Sequence, residues 1–540
     1  MEGAWVKAAG VVAFALSVAT ATVPASAQLL ASGDPSPDSA VLWAKTDVPG
    51  RYAFELSEDA HFSAVLRRLP VDVSRAALTA QAEVKGLKPE TRYHYRLVDS
   101  TGRPLPARAS FATAPQASTR ASVKIVFGSC LGGTGGGLSS GLGRLRPGTG
   151  LKVDGFPIFE PMRAEGADLF LALGDMIYSD RPITAEAPKP FAKGNDLQIP
   201  KPGPGYVTTV EDFRREWLYY REDRHYDAFL AATPIVATWD DHEIVNDSGG
   251  PELTRGPTAE ELARDGRLRQ GDPSRPRGEV MPWAKGERRR SVFFNPALYT
   301  AARQAMFEWN PIAMLPDPSG AHQRRLYRSI RWGAHVEVFV LDTRSYRDPR
   351  YRFDSDAAPK TMLGLAQKRW FIDAVSASTA TWKVVVSSVP LSLGTGNERD
   401  MQGRHYRDAW AAGEADNPYG YGRELREIAA SLRDRKVANV VFLTGDQHFS
   451  NLFAYDTDGD GRPDFHEANV GPLRAGVSGA NAVIDRSLNP TRLFTDGGKA
   501  SFAYGAVHVD GESGRLAVSF HGEDGAPLPG ARLELMPAGR

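Results

Sequence analysis

Several apolar runs in this chain stop abruptly at a residue type that binds metal ions, and that repetition constrains the fold more than any other feature. In Leu169–Asp180, LFLALGDMIYSD, five apolar residues end at Gly174 and the carboxylate of Asp175 follows at once. Tyr178 adds a phenol oxygen three residues later. VKIVFGSC ends at Cys130, PIVATWDDHE at Asp240–Glu243 and VVFLTGDQH at Asp446–His448. Buried strands of this length, each delivering a polar side chain at its carboxyl end, are how open α/β sheets build ligand sites. Core packing explains one such run; it does not explain the set.

The donor types define a chemistry. A carboxylate at a strand end can bridge two cations, as Asp175 is placed to do. Thiolate and phenolate, from Cys130 and Tyr178, suit a trivalent or borderline transition metal, ferric iron above all. Carboxylate and amide oxygens, from Asp241, Asn246 and Asp446, suit calcium, magnesium or manganese. Two such ions about 3.5–4 Å apart can generate a hydroxide near neutral pH and clamp a phosphoryl centre for in-line attack. Singly, each residue has a plainer explanation. Asp240–Asp241 can cap a helix, Tyr178 can be a packed ring, and His448 can be structural; the joint pattern favours a site.

The surrounding chain fits a secreted two-part protein. Val11–Ala19 is an apolar core preceded by Lys7 and followed by Ala25-Ser26-Ala27, a leader pattern with cleavage near Ala27, so residues 1–27 read as a signal peptide to a secreted or periplasmic location. With 540 residues, two domains are expected. A formal net charge of zero gives no support for nucleic-acid binding or an anionic membrane, and no segment has the length and apolarity of a membrane span. The single cysteine forbids an intramolecular disulfide, which favours a metal-bound thiolate at Cys130 over an idle thiol. Residues 28–116 alternate in short runs between turn signals, as an antiparallel β-sandwich does, and Leu87–Tyr95 (LKPETRYHY) has the form of a fibronectin-type tyrosine corner. From residue 123 to 540 strands alternate with helical stretches, at Phe156–Glu165, Val210–Leu230, Tyr299–Glu308, Gln367–Ser376 and Tyr421–Arg435, giving an α/β layout. Three antiparallel strands are expected to close the C-terminus. The glycine run after Cys130 lacks GxxxxGK[ST] and reads as loop; residues 181–207 and 248–290 read as insertions near the site.

GDMIYSD, TWDDHEIVND and LTGDQHFS, with FGSC ahead of them, resemble the PhoD-like (alkaline phosphatase D) metallophosphoesterases. The resemblance continues through ASGDPSPDSAVLWAKTD, LYRSIRWGAHVEVFVLDTRSYR and TMLGLAQKRWF. It implies a four-layer α/β/β/α catalytic sandwich behind the N-terminal fibronectin-like β-sandwich, an iron–calcium centre, and hydrolysis of phosphomonoesters and phosphodiesters. Carried over by motif, Cys130, Asp175, Tyr178 and either Asp446 or His448 hold the iron. Asp175, Asn246 and Asp241 face the second ion. His242 touches the phosphate and steadies the leaving group, and Arg221 and Arg344 are candidate phosphate contacts. Small phosphoesters are the implied substrates, with a phospholipase D-like action on phospholipid head groups as the alternative. A non-catalytic, calcium-binding exported protein is the reading from outside enzymology.

One motif stands apart. Asp456, Asp458 and Asp460, followed by Gly461 and then Glu467, match the calcium-loop pattern D-x-D-x-D-G-x₅-E. The flanks NLFAY and HEANV read as strands, so the expectation is a calcium-binding β-hairpin turn, with Glu467 belonging to the following strand; an Asp/Gly turn without an ion is the plainer alternative.

Overall fold

The computed structural model describes residues 28–132, 155–180, 207, 209–250, 296–350, 352–396, 403–413, 417–476, 482–497 and 502–539. The leader at 1–27, most of the glycine run, and the bulk of the 181–207 and 248–290 insertions lie outside the described residues.

The N-terminal region is the strand-rich layout its spacing predicts. It contains β1 (Leu29–Gly33), β2 (Ser39–Lys45), β3 (Gly50–Ser57), β4 (Arg67–Val73), β5 (Thr79–Lys85), β6 (Arg92–Asp99) and β7 (Ala109–Ala112). An antiparallel sheet in the order β4-β3-β6-β7 turns Phe54, Leu56, Tyr95 and Phe111 onto Leu30, Leu42 and Val84 of β1, β2 and β5. At the corner, Tyr93 Oη accepts a 2.9 Å hydrogen bond from Lys88 N, tying loop to strand as the LKPETRY segment suggests.

Beyond residue 123 come β8 (Val123–Gly128), α1 (Phe159–Ala164), β9 (Leu169–Ala172), α2 (Val210–Arg221), α3 (Arg224–Leu230), β10 (Ile235–Ala237) and α4 (Pro296–Trp309). They are followed by β11 (Arg328–Trp332), β12 (Val336–Val340), α5 (Gly364–Ala377), β13 (Trp382–Ser387), α6 (Gly422–Asp434) and β14 (Val440–Thr444). β15 (Asn451–Tyr455), β16 (Phe465–Asn469), β17 (Pro490–Thr495), β18 (Ala503–Val509), β19 (Leu516–Gly522) and β20 (Pro527–Leu535) complete the chain. The single helix expected over 210–230 is two, because the Asp223 side chain accepts from His225 N and Tyr226 N and starts a new helix there.

Among the described residues these strands make two large sheets, ordered β20-β19-β18-β8-β9-β10-β1-β2-β5 and β11-β12-β13-β14-β16-β15-β17. β8, β9 and β10 run parallel in the first; β12, β13, β14 and β16 run parallel in the second. The N-terminal strands join the first sheet through one parallel register pair, Gly33 with Ile235. A Cβ at Gly33 would stand 2.2 Å from the Pro311 carbonyl oxygen, so only glycine permits that junction.

Strand periodicity sorts the apolar side chains between two cores. Leu169, Leu171 and Leu173 enter a cluster shared with Val338, Val384, Val441 and Leu443 of the second sheet. Phe170 and Ala172 turn the other way, toward Phe159 of α1 and Phe229 of α3. On the second sheet Phe339, Val385 and Phe442 meet Phe371 of α5 and Leu425 and Ile428 of α6. Strands buried on both faces read as continuous apolar runs, and their carboxyl ends are left to carry the polar residues.

Candidate metal centre

The chain turns sharply where it leaves each of these strands. Cys130, Asp175 and Asp446 all have left-handed backbones, with φ of 59°, 55° and 63°. Non-glycine residues tolerate that conformation only when their surroundings enforce it, and such positions concentrate at functional sites. Gly174, at φ 101°, lies so close to the next strand end that a Cβ would sit 2.5 Å from Asp240 N. Glu243 locks the two turns together: its carboxylate accepts from Asp175 N (2.9 Å), Met176 N (2.6 Å) and Asp240 N (2.8 Å). Burial pushes this carboxyl up to about 7 despite those donors.

One group of donors gathers around Asp175. Cys130 Sγ lies 3.6 Å from Asp175 Oδ2, and Tyr178 Oη lies 3.3 Å from the same oxygen. Tyr178 Oη is also 3.4 Å from His448 Nε2. Cys130, Asp175 and His448 each bring a ligand atom within 4.8 Å of the others. Burial, then the Asp175 carboxylate, holds the Cys130 thiol well above its ordinary value; the thiolate needs a cation beside it. Of the alternatives Asp446 and His448, the histidine joins this group.

Asp446 joins the neighbouring group, where Asp240, Asp241 and Asp446 each offer an oxygen within 4.8 Å of the others. Asp240 Oδ2, Asp241 Oδ1 and Asp446 Oδ2 are buried with no hydrogen-bond partner among the described residues. Burial and then the other carboxylates drive Asp175 and Asp446 well above the usual range. Unsatisfied buried anions packed together are costly unless cations lie among them, so this donor set fits metal ions.

Two further residues shape the site. Arg344 is fully buried, donating through Nε to Asp240 Oδ1 (2.6 Å) and pairing with Asp408 Oδ2 at 2.7 Å. Asp408, although buried, is held down to about 2 by Arg344, Arg347 and Arg350. His242 stacks on Tyr178 with ring centroids 4.1 Å apart, and its Nδ1 lies 2.7 Å from Asp180 Oδ1. His242 also brings a ring nitrogen within 4.8 Å of oxygens of Asp175 and Asp241.

Not every expected residue is here. Arg221 is a correction: it is buried under the helices, donating to Trp309 O (2.9 Å) and Asn310 Oδ1 (2.7 Å), with Trp43, Trp217 and Tyr226 around its guanidinium. Its position at the end of α2 points it into the aromatic core, so it is no phosphate contact. Arg344 is close to the centre but spent on carboxylates. Asn246 is anchored by its backbone N to Asp180 Oδ2 at 3.2 Å, and its buried Nδ2 has no partner among the described residues. Asp456, Asp458 and Asp460 form a separate cluster on the β15–β16 turn. Asp456 accepts from Gly459, Asp460 and Gly461 backbone N–H groups. Glu467 is on β16 as expected, buried and accepting from Leu391 N and Thr444 Oγ1, away from that turn. Asp180, Glu243 and Asp408 have structural parts in the centre that sequence reading missed; Asp180 and Glu243 stood in the very motifs singled out, while nothing around Asp408 marks it.

A family profile described as PhoD-like phosphatase matches residues 147–520, and that of the PhoD-like phosphatase N-terminal domain matches residues 14–115. The chain belongs to the PhoD-like phosphatase family. Cys130 falls between the two matched spans. Alkaline phosphatase D of Bacillus subtilis (strain 168) is 26% identical over 448 residues, 78% of this chain but 64% of that protein, so the chain spans under two thirds of that relative's length. A solved structure of PhoD superposes with a TM-score of 0.67 at 22% identity, covering 94% of this chain and 90% of the other. A purple acid phosphatase from yellow lupin seeds superposes at 0.53 with 11% identity, over 94% and 74% of the two chains. These structural likenesses are of fold.

Proposed function

We propose that this PhoD-like phosphatase is a metal-dependent phosphoester hydrolase acting on small monoesters and diesters. The observation that carries the reading is the set of unpartnered oxygens on Asp240, Asp241 and Asp446 beside the Cys130–Asp175–Tyr178–His448 donors. In this reading Cys130, Tyr178 and His448 would hold ferric iron, and the all-oxygen group, with Asn246, would hold calcium, with Asp175 available to both. Cations there would supply Lewis-acid charge to a phosphoryl group and to the attacking water.

The chain's own residues supply the rest. The Asp180 carboxylate accepts from His242 Nδ1–H and fixes the orientation of the imidazole ring. When the ring is also protonated at Nε2, that second proton is the one it can pass to the departing oxygen as general acid. Tyr178, stacked on the ring, keeps it from swinging away. Arg344 and Asp408 hold Asp240 in place without touching substrate.

The same reading takes residues 1–27 as an export signal, 28–116 as the framing β-sandwich and 123–540 as the catalytic unit. The two large sheets with helices on their outer faces support an α/β/β/α layering, and the Asp456 turn is read as a structural calcium loop. No helix among the described residues is long and apolar enough to cross a membrane.

The test is hydrolysis of a bis(aryl) phosphodiester, an aryl monoester and dispersed phosphatidylcholine, with metal analysis of the same preparation. Chelation and Asp175→Ala should each abolish turnover of the aryl esters and deplete bound metal. Full activity of Asp175→Ala, or of metal-free protein, would overturn the proposal.

A further inference from the structure

A second feature lies outside the metal centre. Between β5 and α4, closed on a third side by the 314–324 loop, is a cavity of about 770 Å³. That is the size of a small-molecule site. None of the residues lining it belongs to the metal-ligand groups.

Its wall is cationic without the usual compensation. Arg303 and Arg324 both line it, and their guanidinium carbons lie 5.1 Å and 5.5 Å from the Phe307 ring centroid. Arg303 spends Nη1 on Ser345 Oγ (3.1 Å) and Nη2 on the Arg324 carbonyl. Arg324 donates no side-chain hydrogen bond to a described residue, and neither arginine has a carboxylate within ion-pair distance among them. The one acid among the described lining residues, Glu308, is already engaged: both its oxygens take 2.7 Å bonds from Arg214. Burial and the Arg303 charge disfavour the Arg324 cation. Two like charges held beside one ring, with a ready fork of donors, await an anion. Phe307 and the exposed Met314 supply apolar surface next to them.

We propose that this cavity binds an organic oxyanion, a carboxylate or phosphoryl head carried on an apolar body, with the head on Arg324 and Arg303 and the body against Phe307 and Met314. The cavity is wired to the centre. Arg303 reaches Ser345; Ser345 N, Arg344 N and Trp239 Nε1 all donate to Asp342 Oδ1 at 2.9, 3.2 and 2.9 Å. Arg344 continues to Asp240. The chain of contacts thus runs from the cavity to Asp240, while the binding itself does not depend on the hydrolase reading.

Calorimetric titration of the full chain with phenylphosphonate, benzoate, inorganic phosphate and neutral benzyl alcohol tests this, in the presence and absence of chelator. Phenylphosphonate and benzoate should bind with and without chelator, and more tightly than inorganic phosphate or benzyl alcohol. Arg324→Gln, whose guanidinium supports no described hydrogen bond, should keep its melting temperature and weaken both ligands by at least about tenfold, the worth of one charged hydrogen bond. Should that variant unfold early, Met314→Glu, at the exposed rim, should weaken the aryl ligands instead. Binding lost on chelation, unchanged in both variants, or equal for benzyl alcohol and benzoate would overturn the proposal.

Discussion

Arg344 shows how one buried cation organises a charged site. It bonds Asp240 and pairs with Asp408, at 0% side-chain exposure. Removing it leaves the buried Asp240 without its counter-charge, and Asp408 with only Arg347 and Arg350, a loss of about 3–5 kcal/mol. Arg344→Ala is therefore expected to unfold at markedly lower temperature than the parent in thermal melts. Asp180 acts on a smaller part of the site. Asp180→Asn keeps the shape near His242 but removes the carboxylate that favours its doubly protonated ring, so kcat should fall about 10²–10⁴-fold, the usual worth of general acid–base assistance. Bound metal should stay at parental level, which separates this effect from loss of the centre. A variant that retains full kcat would remove the proton-donor role of His242.

Individual strands carry their own liabilities. Two residues beyond β9 comes Gly174, where any side chain collides with the backbone of Asp240. Gly174→Ala should deplete metal and activity together, because the turns bearing Asp175 and Asp240 cannot then close on one another. β16 offers a pH test away from the centre. His466, in the strand between β14 and β15, is pushed down by burial to about 4 from an ordinary 6.5. A histidine kept neutral in the fold contributes fully above 6.5, and that contribution is lost as pH falls from 6.5 toward 4. At pH 5 the loss is about 1–2 kcal/mol. The drop in melting temperature between pH 7 and pH 5 should be smaller in His466→Gln than in the parent; equal drops would refute the assignment.

Across the molecule, stability and the metal centre are joined. The carboxyl ends of two sheets bring Asp175, Asp240, Asp241 and Asp446 into mutual repulsion, so cations that neutralise them favour the folded state by mass action. Chelated protein should melt about 1–3 °C lower, the shift that about 1–3 kcal/mol produces in a chain of this size, and recover on adding iron and calcium. The shared sheet is a second whole-molecule feature. Spacing showed where the N-terminal strands begin and end, yet nothing in it showed β1 hydrogen-bonding to β10 at Gly33 and Ile235, some two hundred residues later.

Local order was readable because it is local. Apolar runs buried on both faces mark parallel strands, turn residues mark their ends, and the motifs of Cys130, Asp175, Asp241 and Asp446 lie at those ends. Helix division at Asp223 and the burial of Arg221 were not readable, since a cap bond and an aromatic cage depend on neighbours from other segments. The division of donors followed the same rule: the chain order names His448 and Asp446 side by side, but only the left-handed turn at Asp446 sends one to the Tyr178 group and the other to Asp240 and Asp241. Covalent sequence determines which chemical groups each strand end presents; which groups share a cation, which are absorbed by Arg344 or Glu243, and where an unpaired arginine faces a cavity are settled by long-range packing, because Coulomb and steric terms act through space without regard to chain distance.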